Sequence, residues 1–217
     1  MTDSKNEIQS TYQKISQRYD WHMRCYHLVG LRIGNYRRHA VDLLNLKKGD
    51  RVVDLGCGTG LSFPHIMERI GPEGHLTGVD MTAGMLACAR ERCERAGWNN
   101  VELVQLEIAS YEFPEKIDAV ISTGVMGYIS EYGRVIQNAA KALDPDGRLV
   151  ILDANQPDAW PPWLFKLLFK IKKPLGLGIE FFDNRPWESV ERYFQETAFE
   201  ERYGGWVYFS TGAKASP

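Results

Sequence analysis

Histidine, cysteine, excess charge and long apolar runs are all scarce in this chain of 217 residues, and each shortage removes a class of function. The histidines, His22, His27, His39, His65 and His75, include no HxH or HxxxH pair, so transition-metal ligand spacing is missing and no metal is expected. The four cysteines, Cys25, Cys57, Cys88 and Cys93, form no CxxC pair, which reads as reduced thiols in a cytosolic protein. A net charge of −2 supplies no basic stripe, so no nucleic-acid partner is expected. The polar opening MTDSKNEIQS lacks the apolar segment of a secretion signal. No run reaches the length of a membrane span, and no repeat or low-complexity tract interrupts the chain. With 44% hydrophobic and 25% charged residues there is enough chain for a full core, and residues 1–217 read as one domain.

The most informative stretch is VVDLGCGTG, Val52 to Gly60. Arg51 to Leu55 is apolar between its ends and β-branched at Val52 and Val53, which suits a strand covered on both faces. Gly56, Gly58 and Gly60 then allow a sharp turn and a close approach of backbone to ligand. A dinucleotide loop needs GxGxxG, yet Leu61 stands where its last glycine belongs. Asp54 adds a carboxylate that repels a pyrophosphate and attracts an ammonium group. The loop therefore favours a zwitterionic, sulfonium-bearing ligand over a nicotinamide dinucleotide. A second strand, His75 to Val79, ends in Asp80 about 20 residues beyond the loop, the separation at which a carboxylate meets ribose hydroxyls. The plainer reading of Asp80 is an N-cap for a helix starting near Thr82.

These residues resemble the class I S-adenosylmethionine-dependent methyltransferases, whose first motif has the form (V/L)DxGxGxG. The resemblance implies an α/β fold: a doubly wound, Rossmann-like sheet of seven strands, mostly parallel with an antiparallel last strand, and an N-terminal helical lid. It implies S-adenosyl-L-methionine as cofactor. It places Met81 against the adenine and Glu107 near the adenine amino group, although Leu106 stands where the family commonly has glycine. It puts further cofactor contacts at Ser122 and Thr123, and adds Cys57, Met85 and Ile108 to the same set, although Cys57 reads from its surroundings as a small packing residue. Met126, Gly127 and Tyr128 take the place facing the acceptor. The segment TYQKISQRYD resembles the start of the ubiquinone and menaquinone C-methyltransferases, whose N-terminal helix closes over the cofactor, so Tyr19 joins the cofactor set. Tyr12 and Tyr19 as solvated surface tyrosines are the bland alternative.

The remaining pattern alternates strand and helix. A helical stretch covers Trp21 to Asn45, with Leu28, Leu31, Tyr36, Val41, Leu43 and Leu44 facing the core. A crossover helix follows at Ser62 to Ile70, then strands at Val101 to Gln105 and Ile117 to Ser122. A helix over Tyr132 to Leu143 leads to a strand at Arg148 to Asp153. The C-terminal part reads as a helix over Glu188 to Phe194 and strands Phe199 to Tyr203 and Val207 to Ala213, joined at Gly204-Gly205.

Residues 155–187 interrupt this plan as a substrate-covering insertion, as residues 1–45 form the lid. Within it, Lys166, Lys170 and Lys173 make one stripe of a helix over Trp163 to Lys173 whose remaining face is apolar and aromatic. Such a stretch is either a lid helix or a peripheral membrane contact. Both readings make the acceptor apolar: a prenylated quinone, a phospholipid or another hydrophobic metabolite. The expected location is cytoplasmic, peripheral to the membrane. An acceptor that keeps its proton at neutral pH needs a base, for which His22 and His27 lead, with Tyr26, Tyr128 and Asp153 behind them. The competing classes are a nicotinamide oxidoreductase, disfavoured by Leu61 and the terminal hairpin, and a non-catalytic S-adenosylmethionine-binding protein.

Overall fold

The computed structural model describes residues 2–25, 32–157, 161 and 182–215. Two helices, α1 (Thr2–Cys25) and α2 (Ile33–Leu43), precede the first strand, β1 (Arg51–Leu55). The chain then alternates through α3 (Phe63–Ile70), β2 (His75–Asp80), α4 (Ala83–Ala96), β3 (Val101–Gln105), β4 (Ile117–Thr123), α5 (Tyr132–Ala142) and β5 (Leu143–Ala154). A helix, α6 (Pro186–Tyr193), and two strands, β6 (Glu196–Arg202) and β7 (Val207–Ala213), complete it.

The strands form one seven-stranded sheet in the order β3-β2-β1-β4-β5-β7-β6. The first five are mutually parallel, and β7 lies antiparallel between β5 and β6. This is the doubly wound, mixed sheet that the sequence leads one to expect. Period-two alternation divides the core between the faces. Val52 packs on one side with Ile66, Ile70, Leu76 and Phe209, while Val53 packs on the other with Val79, Val120, Ile136 and Tyr208. Strand order reverses between β1 and β4, so their outgoing loops part and leave a crevice at the carboxyl edge.

Phe63, the first residue of α3, is fully buried under the glycine loop. A Cβ added at Gly60 would meet its ring at 2.7 Å, and one at Gly78 of β2 would meet it at 2.8 Å. The ring thus fills the space that both glycines leave open.

Several boundaries differ from the sequence reading. Helix α1 continues through Asp20 and Trp21 to Cys25, so the Tyr19-Asp20 pair lies inside it. Helix α6 starts at Pro186, whose fixed φ and absent N–H suit a first helical turn. Strand β6 starts at Glu196; it is an edge strand rich in exposed charge, with little alternation to reveal it. Leu28, Leu31 and the stretch from Trp163 to Lys173 lie outside the described residues.

Candidate functional site

The crevice above β1, β2 and β4 holds a cleft open to solvent, lined by the loops after these strands and by side chains of α1 and α2. Its floor is the loop after β1. Gly56 has φ +73°, and a Cβ there would come within 2.5 Å of Val125, so no other residue fits without moving the loop after β4. At Gly58 a Cβ would meet nothing within 4 Å, which leaves backbone facing open space.

Asp80 stands at the end of β2 on the cleft wall. Gly58 N–H donates to its Oδ2 at 2.9 Å and Thr82 N–H to its Oδ1 at 2.8 Å. Each oxygen keeps further acceptor capacity toward the cleft, the requirement for holding a vicinal diol. The N-cap of α4 is Thr82, so Asp80 braces the turn before the helix and does not cap it. Burial raises the Asp80 carboxyl above its ordinary range, and the two N–H donors oppose that rise.

Met81, Met85 and Ile108 add apolar wall, and Glu107 adds a polar group beside Ile108. Tyr12, Tyr19 and Tyr128 close the cleft from the side of α1 and the turn after β4. All three phenols are held protonated: burial pushes each above its ordinary value, chiefly by desolvation. Cys57 also lines the cleft, and its buried thiol is driven up, first by desolvation and then by Asp54. A neutral thiol there packs and does not attack, as its surroundings in the sequence led one to expect.

Three residues of the expected set stand off the wall. Gly60 is turned onto Phe63, Ser122 is buried in the sheet, and Asp54 lies fully buried behind the loop. Neither Asp54 oxygen has a hydrogen-bond partner; desolvation lifts its carboxyl to about 7 against the opposing pull of Arg37. Asp153, at the end of β5, is likewise raised to about 7 by burial, while N–H groups of Gly127 and Ala154 donate to it. The side chain of His22, and His27 and Tyr26 entirely, lie outside the described residues.

The structure also brings to the cleft residues that the sequence reading passed over, notably Arg37 and Thr59. Arg37 had a visible signal. With Ala40, Val41 and Leu44 it occupies i, i+3, i+4 and i+7, the buried stripe of α2, where a cation is out of place. Thr59 ties the loop to α1: its hydroxyl donates to Asp20 at 2.6 Å. Arg92 of α4 donates to the Thr59 carbonyl at 2.9 Å and pairs with Asp20 at 2.5 Å. Nearby, Gln9 donates to the Met81 carbonyl at 3.0 Å and Gly84 N–H donates to Gln13 at 2.8 Å. Helix α1 is thereby fastened across one side of the cleft. A diol acceptor, an apolar slot, open loop backbone and the cation of Arg37 on the wall fit a nucleoside with a small charged tail.

Comparison with known proteins identifies the family. A family described as "Methyltransferase domain" matches residues 46–176. Demethylmenaquinone methyltransferase of Listeria monocytogenes serotype 4b is 31% identical over 234 residues, spanning 100% of this chain and 96% of that protein. The protein of the same name from Anoxybacillus flavithermus is 28% identical over 160 residues, covering 72% of this chain and 66% of its own. Among solved structures, an S-adenosylmethionine-dependent methyltransferase from Aquifex aeolicus aligns with TM-score 0.53 at 19% identity, over 77% of this chain and 84% of that one. Phosphoethanolamine N-methyltransferase 2 of Haemonchus contortus, in complex with S-adenosyl-L-methionine, aligns with TM-score 0.63 at 17% identity, over 79% and 50%. The chain belongs to the class I S-adenosylmethionine-dependent methyltransferases, is similar along its length to the demethylmenaquinone methyltransferases, and uses S-adenosyl-L-methionine as its cofactor.

Proposed function

We propose that this methyltransferase acts on a prenylated quinone precursor, an aromatic ring carrying a long apolar tail. The observation that carries the reading is the likeness to demethylmenaquinone methyltransferases along the whole chain. The apolar and aromatic character of the cleft supports it, with Tyr12, Tyr128, Val125 and Ile129 on one wall.

When bound, S-adenosyl-L-methionine supplies a methyl group activated by positively charged sulfur. The task left to the chain is alignment and exclusion of water, and orientation alone can lower a barrier by roughly 7–11 kcal/mol. Asp80 holds the ribose hydroxyls. Met81, Met85 and Ile108 enclose the adenine, with Glu107 at its amino edge. Gly56 and Gly58 present open backbone, and Cys57 and Thr123 complete the wall. Asp54 acts from behind the loop as a negative field for the ammonium group. Tyr19 closes the cleft with the lid.

Tyr128, held as a neutral phenol, donates a hydrogen bond to an oxygen of the acceptor ring and does not serve as a base. A hydroquinone acceptor needs a base for its proton, and His22 and His27 are the candidates the sequence offers. Residues 1–45 and 155–187 form the lid and the acceptor cover of a single domain spanning 1–217. The stretch Trp163 to Lys173, outside the described residues, is the candidate for contact with the membrane surface, from its lysine stripe against apolar and aromatic residues in the sequence.

The test offers the purified protein a demethylated prenylhydroquinone in mixed micelles, phosphatidylethanolamine vesicles and a small hydrophilic catechol, each with S-adenosyl-L-methionine. Methylated product from the prenylhydroquinone alone is expected. Product only from the catechol or the phospholipid would reject the acceptor class. In the same protein Asp80→Ala should weaken S-adenosylhomocysteine about 100-fold by titration calorimetry, since charge-assisted hydrogen bonds are removed. Unchanged affinity would take Asp80 out of the site.

A further inference from the structure

The turn after β4 reaches the cleft through Tyr128, and two residues from other parts of the chain hold it there. Met126–Tyr128 make one 3-10 turn, with Met126 fully buried and Tyr128 on the cleft wall. Gly127 N–H donates to Asp153 Oδ2 at 3.1 Å, and Asn184 Nδ2 donates to the Gly127 carbonyl at 2.7 Å. Asp153 is a fixed post: it is buried at the end of β5, and its Oδ1 accepts from the Ala154 N–H at 2.9 Å. The turn is gripped from β5 on one side and from Asn184 on the other.

The grip at the carbonyl bears most directly on Tyr128. That carbonyl and the Tyr128 N–H belong to one planar peptide unit. Asn184 holds the unit at its oxygen, and the Val125 carbonyl holds it at its nitrogen, accepting at 2.9 Å. Glycine leaves the torsions before such a plane freer than any other residue, so an outside hold replaces the restriction a side chain would give. A rotation of the plane would swing the Tyr128 Cα–Cβ bond and carry the phenol along the wall. Asn184 stands two residues before α6, which Pro186 and Val190 bury against the body of the domain. It also belongs to residues 155–187, the stretch that the sequence leads one to expect over the acceptor. One side chain therefore links that stretch to Tyr128.

We propose that Asn184 is a positioning residue for methyl transfer: by holding the peptide plane between Gly127 and Tyr128 it aims the Tyr128 phenol at the acceptor, and it ties that aim to the segment covering the acceptor. The inference rests on the reading of Tyr128 as an acceptor-facing group. Asn184 is not on the cleft wall and acts through Tyr128.

Steady-state kinetics with the demethylated prenylhydroquinone in mixed micelles compare wild type, Asn184→Ala, Asn184→Asp, Tyr128→Phe and the Asn184→Ala/Tyr128→Phe double variant. Asn184→Ala should lower kcat about 10-fold and leave KM for S-adenosyl-L-methionine within about 2-fold. Asn184→Asp keeps the shape but loses the donor, and should lose at least as much. Once the Tyr128 hydroxyl is gone, Asn184→Ala should add less than about 2-fold, because both changes act on one group. Wild-type kcat in Asn184→Ala, or losses that multiply in the double variant, would overturn the inference while the reading of Tyr128 stands. Wild-type kcat in Tyr128→Phe would reject that reading and the inference with it. A second measurement needs no turnover: 3-fluorotyrosine in place of Tyr128 should give one fluorine resonance in the otherwise wild-type protein and a shifted or broadened one with Asn184→Ala. Identical resonances would overturn the inference whatever the acceptor.

Discussion

Asp54 and Asp153 sit at the ends of two central strands, and their burial ties the stability of the protein to pH. Both carboxyls are raised from 3.8 to about 7 by desolvation. Between those values the folded chain holds protons that the unfolded chain has released, so stability falls as pH rises from about 4 to about 7. Urea unfolding should give a higher midpoint at pH 5.5 than at pH 7.5. Asp54→Asn should flatten part of that slope, at up to about 1.4 kcal/mol for each pH unit removed. A variant with the wild-type slope would show that Asp54 is not the titrating group. At this scale the sequence was an uneven guide. Asp80 could be found because a carboxylate at a strand end has a fixed distance to a glycine loop. Asp54 was legible as a carboxylate beside the loop, but alternation along β1 turns it behind the backbone and away from the cleft. Arg37 showed as a cation out of place in the buried stripe of α2, but its destination did not, because it reaches the cleft only once α2 is packed against β4 and β5.

Helix α1 owes its position to polar contacts, which is why its role could be read only through resemblance. Its side toward α4 carries Gln9, Gln13, Ser16 and Asp20, while Tyr12 and Tyr19 turn to the cleft, a pattern with no long apolar stripe from which to infer a face. The strands and crossover helices, by contrast, advertise themselves through period-two and 3.6-residue patterns. The Asp20 contacts to Thr59 and Arg92 join α1, glycine loop and α4 at one point. Asp20→Ala should loosen α1 from the loop. Dissociation of S-adenosylhomocysteine in stopped flow should quicken by about 10-fold, in line with the loss of charge-assisted hydrogen bonds. Limited proteolysis should also cut α1 faster, while the association rate stays nearly the same. A slower association with unchanged dissociation would contradict the latch.

On the scale of the whole molecule, the antiparallel β7 between β5 and β6 distinguishes this sheet from the all-parallel sheets of many nucleotide-binding proteins. The order of strands had to come from three dimensions, since β6 is an exposed edge with charged residues on both faces. Because the ligand site spans three central strands, occupancy should stabilise the fold as a unit. S-adenosylhomocysteine at 100 times its Kd adds about 2.7 kcal/mol. For a chain of 217 residues this corresponds to a rise in Tm of about 5–11 °C, whereas NADH at the same concentration should give none. A shift with NADH alone would revive the oxidoreductase reading.

The Phe63 ring, wedged where Gly60 and Gly78 have no side chains, works as a shim beneath the turn that carries the methyl donor. Its thickness sets the clearance between turn and sheet. Phe63 is absent from the cleft wall, so a thinner side chain there would let the turn sag without altering any group on that wall.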